Sequence, residues 1–113
     1  MTQYDKKYLQ RAINLAAKHS ADGRHGPFGA VIVHDGRVLS MGWNAVVDSN
    51  DPTAHAEVQA IRAAAKKLNR HDLSGCTLYA SCEPCPMCLA AIYWARIDRI
   101  VYAATKEDAA AVG

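Results

Sequence analysis

The sequence predicts an α/β fold in which a mixed sheet lies between helices in three layers, an α/β/α arrangement. Residues 2–22 carry apolar side chains at helical spacing, which predicts an amphipathic first helix. The nearly continuous apolar run over residues 28–33, followed by Asp35-Gly36, predicts a buried strand and then an antiparallel hairpin. A strand–helix–strand pattern over residues 76–103 predicts a parallel strand pair with helices covering the sheet.

The remaining elements follow in order from periodicity and turn residues. Thr2 can cap the first helix, whose apolar stripe comprises Leu9, Ala12, Ile13 and Ala16. We expect strands over residues 28–33, 38–43, 76–80 and 97–103, with a loop over residues 44–51. We expect further helices over residues 55–68, from Pro84 or Cys85 to about 95, and from 106 onwards. In the helix over residues 55–68, the expected buried stripe is Val58, Ile61, Ala65 and Leu68.

Composition and charge exclude several classes of protein. The chain has 113 residues, half of them hydrophobic, and a formal net charge of +2. This length predicts a single domain, and the small charge does not favour nucleic acid or a membrane surface as a partner. No apolar run approaches the ~18 residues of a membrane span. Residues 1–7 are polar and indicate no secretory signal, so the four cysteines favour metal binding or catalysis in a cytoplasmic protein.

Cys85 and Cys88 form the clearest chemical motif. If a helix begins at Pro84 or Cys85, their spacing places both sulfur atoms on one face of its first turn. A proline is tolerated there because the first backbone donors of a helix have no intrahelical partner. Those N–H groups and the positive helix end favour thiolate over thiol. The pair is therefore a candidate half-site for zinc.

The run Thr53-Ala54-His55-Ala56-Glu57 is typical of a second helix start and can complete the metal site. His55 can supply a third ligand, and three protein ligands leave the fourth tetrahedral position open, as in catalytic zinc sites. Glu57 would lie beside the metal without binding it, where a carboxylate can take and return a proton. Alternatively, Glu57 is an ordinary carboxylate in the first turn of a helix.

Other interpretations of the candidate residues stay open at the level of sequence. Cys82 could complete a structural zinc site, and the regularly spaced cysteines that it begins also resemble part of an iron–sulfur motif. Phe28 and Trp94 could form a wall against a flat heterocycle, or they could belong to the core. Asn44 could bond the edge of a base or simply shape a loop.

The motif His-x-Glu, followed by Pro-Cys-x-x-Cys, resembles the signature of zinc-dependent nucleobase deaminases. Together with residues 28–31 and 51–58, it makes the chain similar to the cytidine deaminase-like zinc hydrolases over nearly its whole length. Residues 81–89 and the following Tyr93-Trp94 most resemble bacterial guanine deaminases. The tRNA adenosine deaminases are similar through the His-x-Glu motif, but they usually carry a histidine and a small residue at the positions of Tyr93-Trp94.

This resemblance implies one zinc-dependent deaminase domain over residues 1–113, with a nucleobase as its small-molecule substrate and guanine, converted to xanthine, as the base. The residues it implicates are Glu57 as the catalytic residue, His55, Cys85 and Cys88 as zinc ligands, and Phe28, Asn44, Ala56 and Trp94 as substrate contacts. The alternatives are a tRNA adenosine deaminase, a cytidine- or cytosine-type deaminase, and a non-catalytic zinc-stabilised module.

The resemblance also implies a homodimer. Guanine deaminases of this type continue past the position of Gly113, and in a domain-swapped dimer that extension covers the partner's site. Either a C-terminal segment is missing from this sequence, or this protein closes its site differently.

Overall fold

The computed structural model of the protein describes residues 1–21 and 26–105. Within those residues the elements are α1 (Gln3–Ser20), β1 (Gly29–His34), β2 (Arg37–Trp43), α2 (Val46–Ser49), α3 (Ala56–Leu68), β3 (Cys76–Cys82), α4 (Pro86–Ala95) and β4 (Arg99–Ala104). The strands form one sheet in the order β2-β1-β3-β4, in which β1 is antiparallel to both neighbours and β3 is parallel to β4. The predicted hairpin, parallel pair and mixed sheet are therefore confirmed.

The sheet is covered on both faces, as the run of apolar residues in β1 predicts. Alternate residues of a strand point to opposite faces, so Val31 packs towards α1 while Ile32 packs towards α3 and α4. One cluster joins Tyr8, Leu9 and Ala12 of α1 to Val31, Val33, Tyr79 and Val101. The other joins Ala30, Ile32, Leu78 and Ala80 to Ala56, Ala60, Ala64, Ile92 and Ala95. These two clusters are the two interfaces of the predicted three-layer fold.

Two glycines of the hairpin set its geometry. Gly36 has φ 73° and follows Asp35 with φ 51°, so both central residues of the turn adopt the left-handed conformation that tight hairpins require. Gly42 lies under α3, where a Cβ atom would come within 2.2 Å of the Ala56 carbonyl oxygen and 2.7 Å of the Ala60 nitrogen. The close approach fixes the first turns of α3 on the sheet.

This close approach also explains an error in the predicted packing of α3. The fully buried stripe is Ala56, Ala60 and Ala64, whereas the predicted Val58, Ile61, Ala65 and Leu68 are only partly buried at its flanks. Small side chains face the sheet because the helix backbone lies almost against the β2 backbone. Periodicity weighted towards large apolar residues therefore selects the wrong face.

Further differences concern the ends of elements. The predicted loop over residues 44–51 contains the short helix α2, and α4 begins at Pro86 instead of at Pro84 or Cys85. Thr2 caps α1 as predicted and forms a reciprocal pair of hydrogen bonds with Asp5. The predicted helical segment from residue 106 lies outside the described residues. Among the described helices, none is both long enough and apolar enough to span a membrane.

Asp5 ties α1 to the opposite end of the chain. Its side chain is 2% exposed. The carboxylate accepts hydrogen bonds from the Tyr79 hydroxyl at 2.7 Å and from both terminal nitrogens of Arg99 at 2.8 and 2.6 Å. The Arg99 guanidinium, followed by the Tyr79 hydroxyl, holds the pKa of Asp5 well below its usual value. This group therefore links α1, β3 and β4 as long as the carboxylate is charged.

We expect this carboxylate to make stability depend on acid pH. Because its folded pKa lies below the unfolded value near 3.8, the stability it contributes is present above about pH 4 and is lost as pH falls further. Asp5→Asn should lower the melting temperature at pH 7 by roughly 5 °C and flatten the dependence on pH below 4. Thermal unfolding of both proteins between pH 2 and 7 checks this, and parallel curves would contradict it.

Candidate active site

The first turns of α3 and α4 bring one histidine and two cysteines together. His55 is the N-cap of α3, with φ −71° and ψ 159°, and its side chain makes no capping hydrogen bond. The His55 Nδ1 atom lies 3.6 Å from the Cys85 sulfur and 3.5 Å from the Cys88 sulfur. Among the described residues, these three are the group whose His, Cys and carboxylate atoms are close enough to share a metal ion.

The spacing of these atoms fits tetrahedral zinc. Zinc binds thiolate sulfur at about 2.3 Å and imidazole nitrogen at about 2.0–2.1 Å, so a tetrahedral angle separates the two donors by about 3.6 Å. The observed nitrogen–sulfur distances of 3.6 and 3.5 Å agree with this value. One imidazole and two thiols are also a donor set that zinc favours.

Pro86 begins α4 and so places both cysteines at the start of this helix. The prediction that the helix begins at Pro84 is wrong. Pro86 occupies the first position of α4, and Cys85 is the N-cap, whose sulfur accepts the Cys88 backbone N–H at 3.5 Å. Cys88 follows in the first turn and is fully buried. Both sulfurs therefore lie at the positive end of α4, as the predicted half-site requires.

Burial opposes ionisation of Cys88 when no cation is near. Desolvation, followed by the charge of the Glu57 carboxylate, raises the pKa of the Cys88 thiol far above its ordinary value. A bound cation would offset this cost, because metal ligation requires and stabilises the thiolate.

Glu57 lies beside the metal group and is only 8% exposed. Burial raises the pKa of this carboxyl above its ordinary value. The alternative that Glu57 is an ordinary solvated carboxylate of a helix start does not fit this burial. A buried carboxyl with a raised pKa can hold or release a proton nearer to neutral pH.

A cavity of about 250 Å³ opens beside the metal group. Its lining includes the predicted contacts Phe28, Asn44 and Ala56, together with His55, Glu57 and Cys85. The side-chain oxygen of Asn44 accepts the Val46 N–H at 3.0 Å, so this residue shapes the loop as well as lining the cavity. The interpretation of Asn44 as a residue that shapes the loop is therefore supported, and its bond to the edge of a base stays a prediction.

Trp94 is not brought to this cavity. It is 75% exposed on the outer side of α4, so it belongs neither to the core nor to the cavity lining. Cys88, Ile92 and Ala95 are the residues of α4 that face inwards. Trp94 lies two positions after Ile92, which in a helix turns its side chain to the opposite side.

The end of β3 supplies further lining residues, which are not among the substrate contacts predicted from the sequence. Ser81, Cys82 and Glu83 line the cavity, and the Ser81 hydroxyl accepts the Gly29 N–H at 3.0 Å, which ties β3 to the start of β1. The Cys82 sulfur lies 3.8 Å from the Thr105 carbonyl oxygen and outside the metal group. A structural zinc completed by Cys82 therefore finds no support here. The only sequence signal for these residues is their position just before Cys85.

Residues 2–104 match the family model of the cytidine and deoxycytidylate deaminase zinc-binding region. The chain belongs to this family. It is thus a hydrolase of the zinc-dependent deaminase family, and the predicted family, fold class and zinc cofactor are confirmed. A non-catalytic zinc module is correspondingly disfavoured.

Individual relatives agree with this family assignment. Guanine deaminase from Bacillus subtilis is 58% identical over 106 residues, which cover 94% of this chain and 68% of that protein. Its X-ray structure matches with a TM-score of 0.93 at 55% identity, covering 100% of this chain and 71% of that one. The tRNA-specific adenosine deaminase of Haemophilus influenzae is 42% identical over 113 residues, or 99% of this chain and 65% of that protein. A guanine deaminase structure from Nitrosomonas europaea matches with a TM-score of 0.87 at 34% identity, covering 94% and 62%.

We expect one zinc ion per chain, held by His55, Cys85 and Cys88. Cys85→Ser should lose zinc during dialysis because only two strong ligands remain. Cys82→Ser is the matched control: it changes a neighbouring cysteine outside the metal group and should retain zinc at wild-type stoichiometry. Metal analysis of the purified proteins checks this, and loss of zinc from the Cys82 variant would contradict the three-ligand site.

Proposed function

We propose that this protein catalyses the hydrolytic deamination of guanine to xanthine and ammonia. The observation that carries the proposal is that His55, Cys85 and Glu57 line the same cavity as Phe28 and Asn44. The same cavity is thus lined by candidate metal ligands, by a candidate proton carrier and by side chains suited to a flat base. The identity to guanine deaminase from Bacillus subtilis supports guanine as the base.

The residues divide the chemistry between them. Zinc, when bound by His55, Cys85 and Cys88, acts as a Lewis acid that makes water acidic enough to serve as a nucleophile near neutral pH. Glu57 would take one proton from the attacking water, as the water oxygen bonds to the ring carbon that bears the amine, and would pass it to the ring nitrogen. It would then take the second proton from the new hydroxyl group and pass it to the amine, so that the carbon–nitrogen bond breaks, ammonia leaves and a carbonyl remains on the ring.

The cavity also supplies contacts that would orient the base. Phe28 offers an aromatic ring against which a planar heterocycle can stack. The Asn44 amide can both donate and accept hydrogen bonds, and the edge of guanine carries both kinds of group. Ala56, between His55 and Glu57 in the chain, also lines the cavity and is the third predicted contact that could meet the base there.

A tRNA adenosine deaminase is the second candidate, favoured by the identity to the Haemophilus influenzae enzyme. Binding of folded RNA depends on many phosphate contacts from basic side chains. The net charge of +2 does not favour this role. A free nucleobase therefore remains the better substrate class, and the proposal keeps the predicted cytoplasmic location, where cysteine thiols stay reduced.

The zinc-loaded protein should release ammonia from guanine faster than from adenosine, cytidine, cytosine or tRNA. Glu57→Gln should keep zinc and the fold but lower the rate by about 100- to 10,000-fold, because its amide cannot carry protons. An ammonia-release assay over this substrate panel checks both statements. Release from tRNA but not from guanine, no release from any substrate, or a Glu57 variant within a few-fold of wild type would contradict the proposal.

We also propose that the protein forms a homodimer through α4. The outer side of this helix exposes Leu89 (49%), Tyr93 (76%) and Trp94 (75%), while its inner side packs on the sheet. A helix that is apolar on all sides is normally buried. Pro86 at the start of α4 lines the cavity, so a second copy covering α4 would reach the edge of the site. It would thereby help to exclude water from the reacting groups.

Sedimentation velocity at micromolar concentration should give the mass of a dimer. Trp94→Lys should shift the protein towards monomer, because it places a charge within the apolar interface. Met41→Lys is the control: Met41 is 39% exposed on the edge strand β2, away from α4, and its replacement should leave the dimer intact. A monomeric wild type, or an unchanged mass for the Trp94 variant, would contradict the dimer.

A further inference from the structure

The segment between β2 and α3 carries a cavity residue at each end. Asn44 follows β2, and His55 immediately precedes α3. The segment closes on itself, because the Ala45 N–H donates to the Ala54 carbonyl at 2.9 Å and the Asp51 N–H donates to the Val46 carbonyl at 3.2 Å. The conformation of this segment therefore sets the positions of both Asn44 and His55.

Asp51 organises the last turn of this segment. One carboxylate oxygen accepts the Thr53 backbone N–H at 2.8 Å and the Thr53 hydroxyl at 2.6 Å. The Asp51 carbonyl accepts the Ala54 N–H at 3.1 Å, and the Thr53 carbonyl accepts the His55 N–H at 2.8 Å. An unbroken series of hydrogen bonds thus leads from the Asp51 side chain to the backbone of His55.

Arg62 anchors this turn to the body of α3. Its guanidinium donates to the second Asp51 oxygen at 3.1 Å and to the Thr53 hydroxyl at 3.4 Å. The Thr53 hydroxyl and N–H, followed by Arg62, hold the pKa of Asp51 at about 2. The carboxylate is therefore charged at any pH at which the enzyme would work, and both of its oxygens are engaged.

His55 depends on this anchoring more than an ordinary N-cap residue does. Its side chain makes no hydrogen bond to the first turn of α3, so the ring is not fixed by its own helix. The backbone conformation at positions 53–55 places the Cα–Cβ bond of His55, and from that position its Nδ1 atom lies 3.6 Å from the Cys85 sulfur and 3.5 Å from the Cys88 sulfur. A metal ligand that is a few tenths of an ångström out of place binds more weakly, because tetrahedral geometry is demanding.

We propose that Asp51, clamped by Arg62, is a positioning residue that orients His55 towards the two cysteines and thereby sets the affinity for zinc. The inference rests on the proposed role of His55 as a zinc ligand. Neither Asp51 nor Arg62 is among the cavity-lining residues. Both act through the turn, in the way that residues outside a coordination sphere commonly orient the ligands within it.

The chain contains a matched control for this turn. Asp72 accepts the Ser74 N–H at 2.8 Å and also the Ser74 hydroxyl, and Arg70 donates to the Ser74 carbonyl at 3.4 Å. This second turn has the same aspartate–hydroxyl hydrogen bonds, but its arginine donates to the Ser74 carbonyl and not to the carboxylate, and the turn precedes β3 and carries no ligand. Replacing Asp72 therefore reproduces the loss of the carboxylate's bonds to a neighbouring N–H and hydroxyl without affecting His55, and Arg62→Gln isolates the arginine contact.

The test compares zinc affinity in Asp51→Ala and Asp72→Ala, measured by competition with a chromophoric chelator. Removing residues that orient metal ligands typically costs about 10- to 100-fold in affinity, and we expect a loss of that size for Asp51→Ala. Asp72→Ala should stay within about threefold of wild type. Equal losses in the two variants, or an unchanged affinity in Asp51→Ala, would overturn the proposal.

Milder variants keep the test decisive if Asp51→Ala does not fold. Asp51→Asn retains an oxygen for Thr53 but loses the charge that holds Arg62. Arg62→Gln removes only the guanidinium and its hydrogen bonds to Asp51 and Thr53. Both should weaken zinc binding, and in cobalt-substituted protein both should shift the thiolate-to-cobalt absorption bands. Bands and affinities identical to those of wild type in these two variants would overturn the proposal.

Cys85→Ser separates a failure of this inference from a failure of the site itself. If wild type binds zinc tightly, Cys85→Ser does not, and Asp51→Ala binds like wild type, then the site stands and the role of Asp51 is wrong. If wild type and Cys85→Ser bind zinc equally, the proposed ligands are wrong, and the inference falls with them.

Discussion

The metal group forms because the N-termini of α3 and α4 lie close together in space. The other residues of the site are arranged around these two helix starts. His55 caps α3 and Cys85 caps α4, so three donor atoms from two distant stretches of chain converge within 4.8 Å. The convergence depends on backbone packing, because Gly42 lets α3 lie almost against β2. A side chain at that position would move the start of α3 and, with it, His55.

The site must bury Cys88 and Glu57, yet their proposed roles require these side chains to carry charge. Burial makes charge on Cys88 and on Glu57 costly, and the Glu57 carboxylate further disfavours a thiolate at Cys88. A divalent cation would relieve both costs, because it stabilises the Cys88 thiolate by ligation and attracts the neighbouring Glu57 carboxylate. The same burial raises the pKa of Glu57 above its ordinary value, which is the direction that suits a proton carrier. Asp51 differs, since it is fully paired and stays charged.

What the sequence predicts well is local. Asp35-Gly36 specifies its own turn, Thr2 specifies its cap, and the Cys-x-x-Cys spacing gives one helical face whichever residue starts the helix. Family motifs then identify the zinc chemistry. These features depend on neighbours within a few positions, so the sequence contains them directly.

What the sequence does not predict depends on how elements meet. The inner stripe of α3 is set by contact with Gly42, and the outward direction of Trp94 is set by which side of α4 rests on the sheet. The bond between Asp5 and Arg99 joins residues 94 positions apart, and the clamp between Arg62 and Asp51 crosses from a helix to a turn. No local pattern identifies such pairs. Which face of a helix is exposed likewise depends on tertiary packing, and sequence periodicity alone does not determine it.

Zinc K-edge X-ray absorption on the zinc-loaded protein tests the central claim most directly, because it reports the coordination sphere without relying on turnover. Two sulfur atoms at about 2.3 Å and two nitrogen or oxygen atoms at about 2.0 Å are predicted, from two cysteines, one histidine and one exchangeable position. A sphere with three or four sulfur atoms would contradict the account, since it would require Cys82 or another cysteine as a ligand and would leave no position open for catalysis.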